Sequence, residues 1–395
     1  MPDAPEQTAN VPRGEFDFRH RPATDQFFEN ALAKARDGDR LSVADGIELL
    51  TTGTDTDGID PRRKELVLEA ADRRRAEVVG EEVTFVANIN NNVTTACNTG
   101  CLFCNFKDRS EHFRSESDVE HGGFTKTPEQ SREIVAGAVE RGVYEVTSVS
   151  GLHPAFALDA EHREILEASD REDLNYRPPA EYDTDPGTYC EQIRAMSVDG
   201  VHVHSMTPEE AYHALRGTDW DYEEVYGRLA EAGLDSVPGT AAEILVDEVR
   251  EVICPGKIDT GEWLEAMEAA ASVGLDTTAT IMYGHVENEA HRVQHLQRVR
   301  ELQDRTGAIT EFVPLSFVHP ETPLYERGMV SGGATTDEDE LMIAVSRLFL
   351  DNVEHIQSSW VKYGDTQGLK MLTCGADDFM GTILSEEITK RAGGG

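Results

Sequence analysis

The chain has 395 residues, 75 of them acidic against 36 basic, and a formal net charge of −39. That balance argues against a nucleic-acid or anionic-membrane partner. It fits a halophilic surface solvated by carboxylates, as in proteins from very salty cytoplasm. Six cysteines, three of them clustered, exclude a disulfide scaffold. With no apolar signal core and no run of transmembrane length, the expected location is cytoplasmic.

Taken in order, residues 1–22 read as a polar leader and 23–80 as an N-terminal helical segment. Asp25 to Arg36 carries helical spacing of Phe27, Phe28, Ala31 and Leu32. Ser42 can cap a second helix through Leu50, and Pro61 opens a third to about Val79. From Val83 onward β-type runs alternate with helical ones. The strand candidates are Val83–Ile89, Tyr144–Val149, Val201–Ser205, Leu234–Val237, Thr277–Met282, Ile309–Ser316, His355–Ser359 and Leu369–Cys374. The helix candidates between them are Pro128–Arg141, Asp221–Ala232, Thr260–Val273, Glu289–Thr306 and Thr336–Asp351. This alternation predicts an α/β fold, a (β/α)8 TIM-type barrel over residues 81–392. A partial (β/α)6 barrel with a C-terminal extension is the alternative. Glu161 to Cys190, rich in charge and carrying Pro178, Pro179, Pro186 and Gly187, reads as a surface insertion. Residues 393–395 read as a flexible tail.

In such a barrel chemistry gathers at the carboxyl ends of the strands. Just beyond the first strand stands Cys97-Asn98-Thr99-Gly100-Cys101-Leu102-Phe103-Cys104, spaced C-x3-C-x2-C. Three thiolates can hold three irons of a [4Fe-4S] cluster, whereas an electron-transfer cluster takes four cysteines. The next cysteine is Cys190, so the fourth iron stays open to chelate an amine and a carboxylate. S-adenosylmethionine (SAM) offers that pair, and the spacing, with aromatic Phe103 before the last cysteine, resembles the radical SAM signature. The alternative is a three-cysteine zinc site completed by a residue such as His112, without the paired arms such sites usually show.

Ser150, Gly151 and His153 end the second strand, where small residues let backbone approach a ligand such as the SAM amine. His202 and His204 share one strand face, and His204, nearer the carboxyl end, is the candidate for substrate contact. Pro238 to Glu243 is expected to open a helix whose free N–H groups can meet a carboxylate, with Glu243 in its first turn. Tyr283-Gly284-His285 and Phe317-Val318-His319 end two strands with an aromatic and a histidine, suited to stacking a flat ring and bonding its edge. Asp377 and Asp378, after the last strand candidate, add a carboxylate pair that helix capping would equally explain.

These blocks together resemble the radical SAM group that contains the deazaflavin (FO) synthase halves and the menaquinone futalosine-pathway enzymes. The resemblance spans about residues 40–393 and is carried by the cysteine motif, Gly151-Leu152-His153-Pro154, Pro238-Gly239-Thr240-Ala241-Ala242-Glu243-Ile244-Leu245 and Tyr283-Gly284-His285-Val286-Glu287. The Pro238–Leu245 block is most similar to the CofH branch. What the resemblance implies is radical cleavage of the L-tyrosine Cα–Cβ bond and transfer of the 4-hydroxybenzyl group to 5-amino-6-(D-ribitylamino)uracil. It also implies an electron donor and a CofG-like second subunit that closes the deazaflavin ring on the way to coenzyme F-420. The menaquinone siblings are the alternative. Ser150 stands where relatives usually carry a first glycine, and Asp377-Asp378-Phe379-Met380 departs from their pattern.

Overall fold

The computed structural model describes residues 25–52, 59–105, 123–169 and 174–384. The expected leader, the tail and His112 lie outside them. Helices Asp25–Asp37, Val43–Thr51 and Pro61–Val79 form as the sequence predicts, the second with Ser42 closing a capping box through Asp45. They flank the main body: Arg40 pairs with Asp304 at 2.7 Å and Asp351 at 3.0 Å. A Cβ on Gly46 would sit 2.9 Å from Phe349 and Val293, so the second helix lies directly on the barrel's outer helices.

The strands are β1 (Thr84–Val86), β2 (Asn88–Asn90), β3 (Glu145–Ser148), β4 (His202–Ser205), β5 (Ser236–Val237), β6 (Asp276–Tyr283), β7 (Ile309–Ser316), β8 (His355–Ile356) and β9 (Asp378–Gly381). Strands β2 to β8 pair in chain order, all parallel, and β1 pairs parallel with β9. A parallel bridge between Gln357 and Asp378 joins the β8 end to β9, and β1 and β2 are one extended segment broken at Ala87. The pairings therefore run round a ring, which is the (β/α)8 reading and not the open alternative.

The closing strand is not the expected Leu369–Cys374. Those residues lie on and just beyond the helix Asp365–Met371, with Gly368, Met371 and Cys374 buried at every third position. That spacing is helical; a strand would bury alternate residues. The expected insertion is also more integrated than its composition implies. Its last residues, Thr188, Tyr189 and Cys190, are buried at the start of the helix Tyr189–Met196, which packs against β4.

Thr127, Thr188, Thr207, Asp259, Asn288 and Thr335 each close a capping box with the residue three positions on. Each satisfies two helix-end donors and contributes about 1 kcal/mol. Part of the large acidic excess thus sits at helix N-termini, where the helix dipole favours it.

Candidate functional site

The cysteine loop leaves β2 at the carboxyl end of the barrel and is fastened along its length. Val93 N donates to Ser150 Oγ at 2.7 Å, and Gly151 N donates to Thr94 O at 3.0 Å. A Cβ on Gly151 would lie 2.1 Å from the Ala96 carbonyl oxygen, so only glycine lets the two loops come this close. Farther on, Leu102 N donates to Ile253 O at 2.7 Å and Leu324 N to Leu102 O at 2.9 Å. The Thr99 hydroxyl lies 3.0 Å from Cys97 Sγ and 3.6 Å from Cys101 Sγ, placing both sulfurs beside one small volume.

Around this loop stands an apolar collar separate from the main core. Cys101, Ile244, Val249, Ile253, Met282, Phe317 and Leu324 are buried in it, with Leu102, Phe103 and Cys104 packed alongside. Burial pushes the Cys101 thiol up to about 12, with Lys257 opposing. A thiol held this dry is a poor nucleophile but a good ligand once a cationic metal centre displaces its proton. Among the described residues no three Cys, His, Asp or Glu groups gather closely enough for a single metal ion. Three thiols from one loop, with Cys101 buried in the collar and Cys104 packed beside it, fit the wider cluster.

The chain does not open a helix at Pro238. A Cβ on Gly239 would lie 2.4 Å from Thr278 O; Ala241 and Glu243 then take φ of 79° and 45°, and the helix begins only at Asp247. Two non-glycine residues in the left-handed region mark a turn the surroundings must hold. Met282 N donates to Glu243 O at 2.6 Å, and the Glu243 carboxylate takes the Lys257 ammonium at 2.7 Å. Glu243 therefore lies in an irregular turn at the collar and not in a first helical turn.

Below the collar the barrel is polar. The outward faces of the strands, Val146, Val203, Val237, Ala279, Ile281, Phe312 and Ile356, are fully buried against helices. The inward faces carry Glu145, Thr147, His204, Thr278, Glu311, Gln357 and Asp378, all half-buried. Barrel interiors are usually filled by layers of Val, Ile and Leu; this one is lined with hydrogen-bonding groups. His202 Nε2 and His204 Nδ1 meet at Ser236 Oγ, at 2.6 and 2.7 Å. Burial, then the neighbouring His202, lowers His204 to about 3, so its ring is neutral. Among the described residues His204 Nε2 takes no hydrogen bond. Gln357 donates to Glu311 at 2.8 Å, and burial together with Asp378 raises Glu311 well above the carboxylate range.

The expected residues thus divide. Cys97, Cys101, Cys104, Phe103, Ser150, Gly151 and Glu243 gather at the mouth, and His204 faces the lumen. Tyr283 does not face the site. It shares the outward parity of Ala279 and Ile281, is fully buried, and donates to Asp339 at 2.7 Å. His285 is folded into its own turn, with Nδ1 2.9 Å from Glu287 and Nε2 3.1 Å from Met282 O. Its side chain is 0% exposed, which leaves no edge for a ligand. His319 sits on the rim against Tyr325, ring centroids 4.9 Å apart. Asp377 caps no helix: it is buried between Arg347 and His355. Sequence reasoning missed Lys257, Glu311 and Gln357. A signal for the first was present, since only 8 of the chain's 36 cations are lysines and this one follows Cys254-Pro255-Gly256.

Comparison with known proteins places this geometry in context. Residues 91–299 match the family model of the radical SAM superfamily, and residues 306–395 that of the CofH/MqnC C-terminal region. A Haloarcula marismortui protein named 5-amino-6-(D-ribitylamino)uracil--L-tyrosine 4-hydroxyphenyl transferase is 80% identical over 100% of this chain and 87% of its own length. A Halobacterium salinarum protein of the same name is 74% identical over 96% of this chain and 83% of its own. The FO synthase of Mycobacterium leprae is 38% identical over 83% of this chain, which covers 34% of that longer protein. Among solved structures, methylornithine synthase (PylB) superposes with a TM-score of 0.62 at 17% identity, covering 91% of this chain and 89% of that one. The likeness to that structure shows the fold alone.

Proposed function

Because the chain belongs to the radical SAM superfamily, in the group that carries the CofH/MqnC C-terminal region, we propose that it transfers the 4-hydroxybenzyl group of L-tyrosine to 5-amino-6-(D-ribitylamino)uracil. The observation that carries this reading is the 80% identity along the whole chain to a relative of that name. The superfamily's cofactors are a [4Fe-4S] cluster and SAM. When bound, they supply a 5′-deoxyadenosyl radical after one-electron reduction.

The chain's own residues do the rest. Cys97, Cys101 and Cys104 would hold three irons of the cluster. Gly151 and Ser150 fix the backbone that the SAM amine meets, while Phe103 and Glu243 line the mouth beside it. The apolar collar of Ile244, Met282, Phe317 and Leu324 would exclude water from the bound cofactors. The polar lumen beneath takes the substrates: neutral His204 offers Nε2 to a substrate hydroxyl or ring edge. Its inward Glu, Gln, Thr and Asp side chains suit a polyhydroxylated ribityl chain better than a hydrocarbon. His319, with Tyr325 at the rim, is placed to meet a substrate on entry. Tyr283 and His285 act only by shaping the end of β6.

An electron donor is required, and a CofG-like chain is the proposed functional partner. The greater length of the FO synthase relative supports the latter, because this chain accounts for only 34% of it. No helix among the described residues is long and apolar enough to cross a membrane.

The test is anaerobic reconstitution with dithionite, SAM, tyrosine and the diaminouracil. Mass spectrometry should show 5′-deoxyadenosine and the hydroxybenzyl adduct together. Turnover confined to a futalosine-type substrate would assign the chain to the menaquinone siblings instead.

A further inference from the structure

We propose that Lys257 is the fixed counter-charge of the iron–sulfur cluster, a positioning residue that sets how readily the cluster takes up an electron. The inference rests on the three-cysteine site and does not depend on which substrates the lumen holds.

Lys257 is held in place from both sides. Its side chain is 10% exposed, and its ammonium lies 2.7 Å from Glu243 Oε1 and 5.8 Å from the centroid of Phe103, which stands between Cys101 and Cys104 in the chain. The loop carrying it is joined to the cysteine loop: Leu102 N donates to Ile253 O at 2.7 Å, and a Cβ on Gly256 would lie 3.6 Å from Gly100 N. Beneath it Glu209 accepts from Ile258 N at 3.3 Å. The cation is therefore fastened to the cysteine loop, lying over Phe103 between two of its cysteines in the chain.

Burial disfavours the charged form of Lys257, but Glu243 at 2.7 Å holds the ammonium in it. Phe103, over which the ammonium lies, packs with Cys104 against the collar that buries Cys101. Reduction brings one electron and no proton to a centre that already carries three thiolates. Inside an apolar collar a nearby positive charge favours that more negative state, so its removal should make the cluster harder to reduce. A lysine suits the task because its charge is a compact point on a stem that can be buried.

The wild-type protein and the variants K257M, K257R and E243Q are reconstituted anaerobically, and iron and sulfide are counted. The midpoint potential of each cluster is then measured by dithionite titration followed by electron paramagnetic resonance, without SAM or substrates. K257M is expected at a more negative potential than wild type, with K257R returning most of the shift. E243Q is expected at a more positive potential, because the ammonium, kept protonated by the net negative charge of the loaded cluster, has lost its neutralising partner. A fully loaded K257M with the wild-type potential overturns the proposal, as do shifts of the same sign in K257M and E243Q. Should K257M melt like wild type yet fail to load iron, E243Q decides: a positive shift supports the proposal and no shift overturns it. Wild-type protein without a cluster signal would overturn the three-cysteine assignment instead.

Discussion

The collar and the lumen are neighbours in one barrel and opposite in chemistry. The collar walls in Cys101 with Ile244, Met282, Phe317 and Leu324, and its charged pair, Lys257 with Glu243, is closed on itself. The lumen is lined by Glu145, Thr147, His204, Glu311 and Gln357, which keep partial access to solvent. On the function proposed above, the difference separates two tasks. A radical must be made where water and stray hydrogen donors are absent, and polar substrates must be recognised where hydrogen bonds are available.

Breaking the collar should have the largest effect. Cys101→Ser is expected to reduce 5′-deoxyadenosine formation to background and lower the iron content, while the thermal midpoint moves by only a few degrees. Full activity in that variant would remove the cluster assignment. Gly151→Ala should come next, since its Cβ would enter the space of the Ala96 carbonyl. Such overpacking costs about 1–3 kcal/mol, and cluster loading should fall with it. Gly137→Ala, on the helix Pro128–Val139 away from the cysteine loop, is the control, because nothing lies within 4 Å of its Cβ position.

In the lumen the effects should move from cofactor to substrate. His204→Leu is expected to raise KM for the diaminouracil about tenfold, about 1.4 kcal/mol, with cluster content unchanged. A defect in SAM cleavage without substrate would instead place His204 at the cofactor.

The pH dependence of stability distinguishes the regions again. Burial raises Asp378 to about 6, and burial together with Asp378 raises Glu311 well above the carboxylate range. The folded state then binds more protons than the unfolded chain, whose carboxylates titrate near about 4. Stability from this pair is present at acid pH and falls as pH rises from about 4 through about 6 and beyond. Glu311→Gln should flatten that slope in denaturant titrations run across the window; an unchanged slope would mean the pair is not protonated.

The smallest effect is expected outside both regions. Tyr283→Phe loses one buried hydrogen bond to Asp339, which is worth about 1 kcal/mol, and should leave kcat and KM alone. A fall in kcat would return Tyr283 to the site.

The two regions were not equally legible. The cysteine loop is local in sequence: spacing alone brings three thiolates together, and Phe103 and Gly151 lie in or beside short blocks that declare their use. Helix caps are just as local, which is why Thr127, Asp259 and Thr335 mark true helix starts. The strand-end residues misled where orientation mattered. Tyr283 lies at a strand's carboxyl end, as a site residue should, but alternation along β6 turns it outward. His285 satisfies both ring nitrogens within its own turn. At the closing strand, the helical spacing of Gly368, Met371 and Cys374 was present in the chain but outweighed by the expectation of an eighth strand.

By itself, then, the sequence determined a parallel α/β barrel, a three-cysteine loop at its carboxyl end and a carboxylate-rich exterior, because each depends on short-range spacing or bulk composition. Only the tertiary structure decided that the barrel interior is polar, that Lys257 lies over Phe103 of the cysteine loop and that Glu311 meets Gln357. Those pairings join residues tens to hundreds of positions apart. Strand register and loop packing bring them together, and neither is written in any local pattern.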